Sequence, residues 1–151
     1  MQIKHKSRRK IKKRRVSLTR EYDRGVEIVA LGKSLEDYLE AILVLKKERG
    51  LVRSVDVAHY MNFSKPSVSV AMKELRGMEY VTVDQDGYLG LTEAGSEIAE
   101  QVYEKHRFFS DFLIEIGVDP VVAERDACLM EHAISEESFS KLKEKLEKHG
   151  K

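Results

Sequence analysis

Cysteine is nearly absent: Cys128 is the single one in 151 residues. That excludes an internal disulfide framework and the multi-cysteine spacing of a zinc ribbon, and it fits a reducing cytosol. No apolar run approaches the ~18 to 20 residues that span a bilayer, and the basic start at Met1 lacks the apolar stretch of a secretion signal. Internal repeats are missing as well. Acidic side chains are missing from residues 1–20, which hold ten Lys and Arg, while the other 131 residues carry 17 basic and 26 acidic side chains, a net of −9. A basic arm therefore precedes an acidic body. Such an arm either meets a polyanion, most often nucleic acid, or stays a solvated tail.

What is present is a sequence of short, well-punctuated elements. Residues 1–33 read as a basic N-terminal extension, with a short helix from Arg20 to Leu31 that stops at Gly32. Ser34 then reads as an N-cap, and Leu35, Leu39, Ile42, Leu43 and Leu45 form an apolar face at helical spacing up to Gly50. Ser54 caps a second short helix, Asn62 and Phe63 turn the chain, and Ser64 caps a third with Pro66 in its first turn. Two short helices so closely joined predict a helix-turn-helix. The period then becomes alternating at Tyr80–Val83 and Tyr88–Leu91, with the turn sequence Asp84–Gly87 between them. Three helices and a hairpin are the order of a winged helix. A long helix from Thr92 to Gly117, another from Asp119-Pro120 to Ala133 and a last one from Ser135 follow. The fold class expected is mainly α: a winged helix-turn-helix DNA-binding domain over 34–92 and an all-α domain over 93–151.

Three groups of residues carry ligand chemistry. Asp37 and Glu40, three apart, share a helix face. His106 sits midway along the long helix among apolar neighbours. Cys128, Glu131 and His132, at i, i+3 and i+4, put a thiol, a carboxylate and an imidazole on one side of one helix. Each has a plainer reading: Asp37 beside a helix N-terminus, His106 as a core histidine, Cys128 as a small buried hydrophobe. Taken together, oxygen, nitrogen and sulfur donors suit a divalent transition cation better than calcium or magnesium.

Leu35-Glu-Asp-Tyr-Leu-Glu-Ala-Ile42, Ser64-Lys-Pro-Ser-Val-Ser69, Leu91-Thr-Glu-Ala-Gly95, His106 and Asp126-Ala-Cys-Leu-Met-Glu-His132 occur in an order that resembles the diphtheria toxin repressor and manganese transport repressor family. The resemblance covers roughly Leu35 to Leu146. It implies a homodimeric, cytoplasmic, metal-activated repressor of metal-homeostasis genes that binds double-stranded DNA at a palindromic operator, with no membrane and no small organic substrate as partner. Asp37, Glu40, His106, Glu131 and His132 match metal ligands of the manganese repressors. Cys128 replaces a Glu of that branch and matches the iron-responsive branch, which in turn has Met where this chain has Asp37. The chain is thus a hybrid, and Fe²⁺ is favoured slightly over Mn²⁺, with one or two ions per subunit. Glu124 stands where iron repressors place an ancillary ligand; Ser110, at the matching place on the long helix, is not expected to ligate.

By the same resemblance Ser64, Lys65, Pro66, Ser67, Ser69, Val70 and Lys73 approach DNA, and Arg53 and Gln85 are candidates for phosphate contact. Val70 stands where relatives often carry Gln. It could touch a thymine methyl but cannot make a bidentate base contact. The basic arm would add affinity by counterion release. The dimer is expected through the apolar surface of the last three helices, Phe108, Phe109, Phe112, Ile116, Val121 and Leu129 among it. Longer iron repressors add an SH3-like domain, and regulation through such a domain is not expected here. Other readings are a winged-helix factor with a structural or vestigial metal site, an interaction module that binds no DNA, and a metallohydrolase using Glu131 as base. Against the last, the chain has no His-Glu-x-x-His motif, phosphate-binding loop or Ser–His–Asp arrangement, and no enzyme is expected.

Overall fold

The computed structural model describes residues 21–149, with side chains from Leu35 to Lys148. The elements run α1 Glu21–Arg49, α2 Ser54–Met61, α3 Lys65–Gly77, β1 Val81–Val83, β2 Leu89–Leu91, α4 Glu93–Glu115, α5 Pro120–Ala133 and α6 Glu136–His149. The basic arm, residues 1–20, lies outside the described residues.

Two sequence expectations are corrected at the start. Helix α1 runs unbroken from Glu21 through Gly32 and Ser34, so Gly32 is no terminator and Ser34 is no cap. No proline interrupts the segment, and a mid-helix glycine costs only about 1 kcal/mol relative to alanine. The two buried turns from Tyr38 to Leu45 outweigh that cost. Likewise the cap of α2 is Arg53 rather than Ser54: the Arg53 amide donates to Asp56 Oδ2 at 2.7 Å.

Helices α1, α2 and α3 and the hairpin close one core, in which Leu39, Ile42, Leu45, Val57, Val68 and Leu75 are fully buried. Burying each Leu is worth about 1.5–3 kcal/mol. Asn62, in the left-handed region at φ 55°, ends α2 and lets Ser64 start α3 two residues later; Ser64 Oγ accepts from the Ser67 amide. Strands β1 and β2 pair antiparallel with Val81 opposite Leu91. Asp84 Oδ1 accepts from the amides of Asp86 and Tyr88 and shapes the turn of this wing. The Leu89 amide also donates to Val52 O at 2.7 Å, tying the wing to the segment before α2.

Gly95 fastens this head to α4. A β-carbon there would lie 2.1 Å from Tyr80 O, so only glycine lets the helix start this close to the chain entering β1. Thr92 caps α4 and donates from Oγ1 to Glu79 O at 2.7 Å. Helix α4 then packs along α5 and α1. A second, smaller core joins Phe109, Ala127 and Phe139, with Phe108 packed edge-on to both phenyl rings. Phe109 thus belongs to the chain's own interior and not to an open face, because α6 brings Phe139 over it. Among the described residues, no helix is long and apolar enough to cross a membrane.

Candidate metal centre and DNA-facing surface

Three helices bring the ligand-type side chains together. Helix α1 carries Glu36, Asp37 and Glu40 on its flank toward α5; α4 carries His106 and, one turn on, Ser110; α5 carries Glu124, Cys128, Glu131 and His132. Donor atoms of Asp37, Cys128, Glu131 and His132 all lie within 4.8 Å of one another, and so do those of Glu40, His106 and Glu131. Every residue of the two sequence clusters and His106 falls in one of these groups. Glu131 falls in both.

Glu131 is 3% exposed. Its Oε2 accepts from His106 Nδ1 at 2.8 Å, whereas its Oε1 is buried without a hydrogen bond, 3.1 Å from His132 Nε2. A buried anionic oxygen left short of partners is costly, and a cation placed among these donors would supply the missing interaction. The set, a thiol, two imidazoles and three carboxylates, could hold a divalent transition ion.

Each imidazole is gripped at both nitrogens. His106 Nε2 donates to Glu124 Oε2 at 2.7 Å, and Ser110, itself buried, donates to Glu124 Oε1 at 2.5 Å. His132 Nε2 donates to Asp37 Oδ1 at 2.5 Å and its Nδ1 to Glu36 Oε2 at 2.9 Å. The charges follow. The hydrogen bond to Glu131 raises His106 to about 9, against the effect of burial and with help from Glu124. Burial works against a charged His132, but bonds to Asp37, Cys128 and Glu36, with the Glu131 carboxylate 3.1 Å away, outweigh it and push its pKa far up. Burial, then the neighbouring Glu131, pushes Glu40 up to about 7. Burial also opposes ionisation of Glu131, yet His106 and His132 keep it below the usual carboxylate range. Without a cation, two imidazoliums hold the cluster's negative charge.

A cavity of about 490 Å³ opens onto the cluster, lined by Asp37, Glu40, His106, Glu124 and Cys128 on one side and by Tyr60, Met61 and Phe63 on the other. The latter three belong to α2 and the turn into α3. Sequence reasoning missed this wall and missed Glu36, whose place before Asp37 has no distinguishing spacing. It also missed the bond between Ser110 and Glu124: family resemblance marks both positions, but no spacing pairs a residue of α4 with one of α5.

The residues expected at DNA are exposed. Ser64, Lys65, Pro66, Ser67, Ser69, Val70 and Lys73 all face outward from α3 or its cap, Val70 at 68%. Ser64 is partly committed, since its Oγ lies 2.8 Å from Ser67 Oγ and caps the helix. Arg53 lays its guanidinium 4.5 Å over the Tyr88 ring at the base of the wing, and Gln85 is exposed in the turn at its tip.

A winged-helix head joined to an α-helical domain that gathers such donors defines a class of DNA-binding proteins with a metal-binding half. A family model described as iron dependent repressor, N-terminal DNA binding domain, matches residues 30–91, and another described as iron dependent repressor, metal binding and dimerisation domain, matches 92–150. The chain is 35% identical over 116 residues to the transcriptional regulator MntR of Escherichia coli, covering 77% of this chain and 75% of that protein. It is 34% identical over 120 residues to an uncharacterized helix-turn-helix transcriptional regulator of Methanocaldococcus jannaschii, covering 78% and 96%. Among solved structures the manganese regulator SloR is similar at 28% identity and a TM-score of 0.68, covering 75% of this chain and 53% of that one, so the chain spans about half its length. The chain belongs to the iron-dependent repressor family, that of the diphtheria toxin and manganese transport repressors.

Proposed function

We propose that the chain is a metal-responsive repressor of metal-homeostasis genes, which binds a palindromic operator as a homodimer when Asp37, Glu40, His106, Cys128, Glu131 and His132 hold Fe²⁺ or Mn²⁺. The observation that carries this reading is the meeting of α1 carboxylates with α4 and α5 donors around Glu131, whose buried Oε1 lacks a hydrogen bond. A bound divalent cation would supply the positive charge that lets these carboxylates stay ionised side by side. The residues do the rest. Asp37 and Glu40 belong to the helix at the centre of the DNA-binding head, and His106, Cys128, Glu131 and His132 belong to the dimer-forming half. Their joint ligation ties head to body and narrows the separations that two heads of a dimer can adopt. A coupling of ~1–3 kcal/mol between cation and DNA is enough for a switch, and DNA tightens the cation by the same factor.

The thiolate of Cys128 favours Fe²⁺, while the three carboxylates keep Mn²⁺ close behind. Two donor groups that share Glu131 allow one or two ions, and Glu124 on His106 Nε2 is the ancillary candidate. Ile116, Val121 and Leu129, all more than half exposed on or beside α4 and α5, supply an apolar face for the second copy. The α3 residues from Ser64 to Lys73 enter the major groove, with Arg53 and Gln85 on phosphate.

Selection of the protein's DNA from a random duplex pool, under anaerobic conditions with Fe²⁺, Mn²⁺ or chelator, tests this reading. Enrichment of an inverted repeat only with metal is expected. Equal enrichment in chelator would overturn it.

A further inference from the structure

Glu36 lies beside the donor cluster without joining it. Neither group of converging donors includes it. Its Oε2 takes the Nδ1 proton of His132 at 2.9 Å, while the opposite ring nitrogen, Nε2, faces Asp37 Oδ1 and Glu131 Oε1. The His132 side chain is only 4% exposed. Its ring is therefore held edge to edge between two carboxylates of adjacent residues on one helix, with one nitrogen turned toward the donors and the other away from them. Glu36 itself also lines a separate cavity of about 380 Å³ between α1, α4 and the entry to β1. Lys105, on the wall of that cavity, is paired with Glu136 at 2.8 Å.

We infer that Glu36 is the positioning residue of His132: by accepting the Nδ1 proton it fixes the tautomer and ring orientation that present the Nε2 lone pair to the cluster. A ligating histidine almost always donates its other ring N–H in this way, and losing such a partner costs about 10- to 100-fold in metal affinity. The inference rests on the cation-site reading above and adds a residue to it. It also makes α1 contribute twice, through Asp37 as a donor and through Glu36 as the part that aims a donor of α5. Displacing α1 would then spoil the geometry of His132 as well as withdraw Asp37.

The test uses the full chain, Zn²⁺ as the probe, and two readouts: affinity by chelator competition, and the His132 ring by ¹⁵N–¹H NMR of the zinc-loaded protein. In the unaltered chain a slowly exchanging Nδ1–H is expected on His132. Glu36→Ala should lose that signal and weaken zinc by about 10- to 100-fold. Glu36→Gln, whose amide oxygen accepts the same bond, should keep the signal and recover most of the affinity. Unchanged affinity and an unchanged signal in Glu36→Ala would overturn the inference. So would a Gln variant as weak as the Ala variant with the signal intact, since a through-space charge effect would then suffice. Unchanged zinc affinity in His132→Ala would overturn the cation-site reading itself, a result distinguishable from either of these.

Discussion

The two histidines carry protons that a cation must displace, so metal affinity and pH should be linked steeply. His106 stays charged to about pH 9, and His132 stays charged to higher pH still. At pH 7 the first alone costs about 100-fold in apparent affinity, because 7 lies about two units below 9. Each proton released contributes about a tenfold rise in affinity per pH unit. Between pH 7 and 8.5, where both imidazoles still hold protons, the logarithm of the affinity should climb with a slope of at least roughly two. As pH falls toward 7 and below, Glu40, pushed up to about 7, adds a further proton. The metal-free fold should respond with the opposite sign. His106 has a pKa raised on folding, so its contribution is full below about 6.5 and is lost as pH rises through about 9, at most roughly 3 kcal/mol. Competition against a chromophoric chelator gives the first slope, and urea unfolding of metal-free protein gives the second. A flat affinity profile from pH 7 to 8.5 would refute the assignment of these imidazoles as protonated ligands.

Three more outcomes are expected. Gly95→Ala, which puts a β-carbon 2.1 Å from Tyr80 O, should destabilise the protein by at least ~1–3 kcal/mol in urea unfolding; a change under 0.5 kcal/mol would mean that the start of α4 shifts freely. Cys128→Glu should move the Fe²⁺/Mn²⁺ affinity ratio toward Mn²⁺, since it exchanges a soft donor for a hard one, and anaerobic titration with each ion would show whether the ratio stays put. Deleting residues 1–20, with their ten Lys and Arg, should flatten the dependence of DNA affinity on salt by about 0.9 in log–log slope for each phosphate the arm neutralises. An identical slope would leave the arm no part in binding.

The head of the molecule was readable because its signals are local. Pro66 and Ser64 mark the start of α3, Thr92 that of α4, and Asp84–Gly87 the wing, each through its own backbone chemistry. The spacings of the ligand-type side chains on α1 and α5 were likewise readable, since residues three or four apart on a helix share a face. That these faces meet one another came from the family resemblance and not from spacing. Glu36 escaped because its significance is wholly tertiary: His132, 96 positions away, gives it a role. The wall of Tyr60, Met61 and Phe63 escaped for the same reason. Ser34 misled because a good cap residue is also an acceptable interior one when the helix has further turns on either side. Phe109 misled because an amphipathic stripe does not say whether a helix of the same chain or of another covers it; here α6 does.

In the proposed switch, carboxylates of α1 and donors of α4 and α5 close on the same ion. Anomalous diffraction from crystals grown with Mn²⁺ or Fe²⁺ tests it most directly. An anomalous peak is expected within coordination distance of Asp37 or Glu40 and, at once, of Glu131 with His106 or His132. A peak bound by α5 residues alone, with Asp37 and Glu40 turned away, would contradict it.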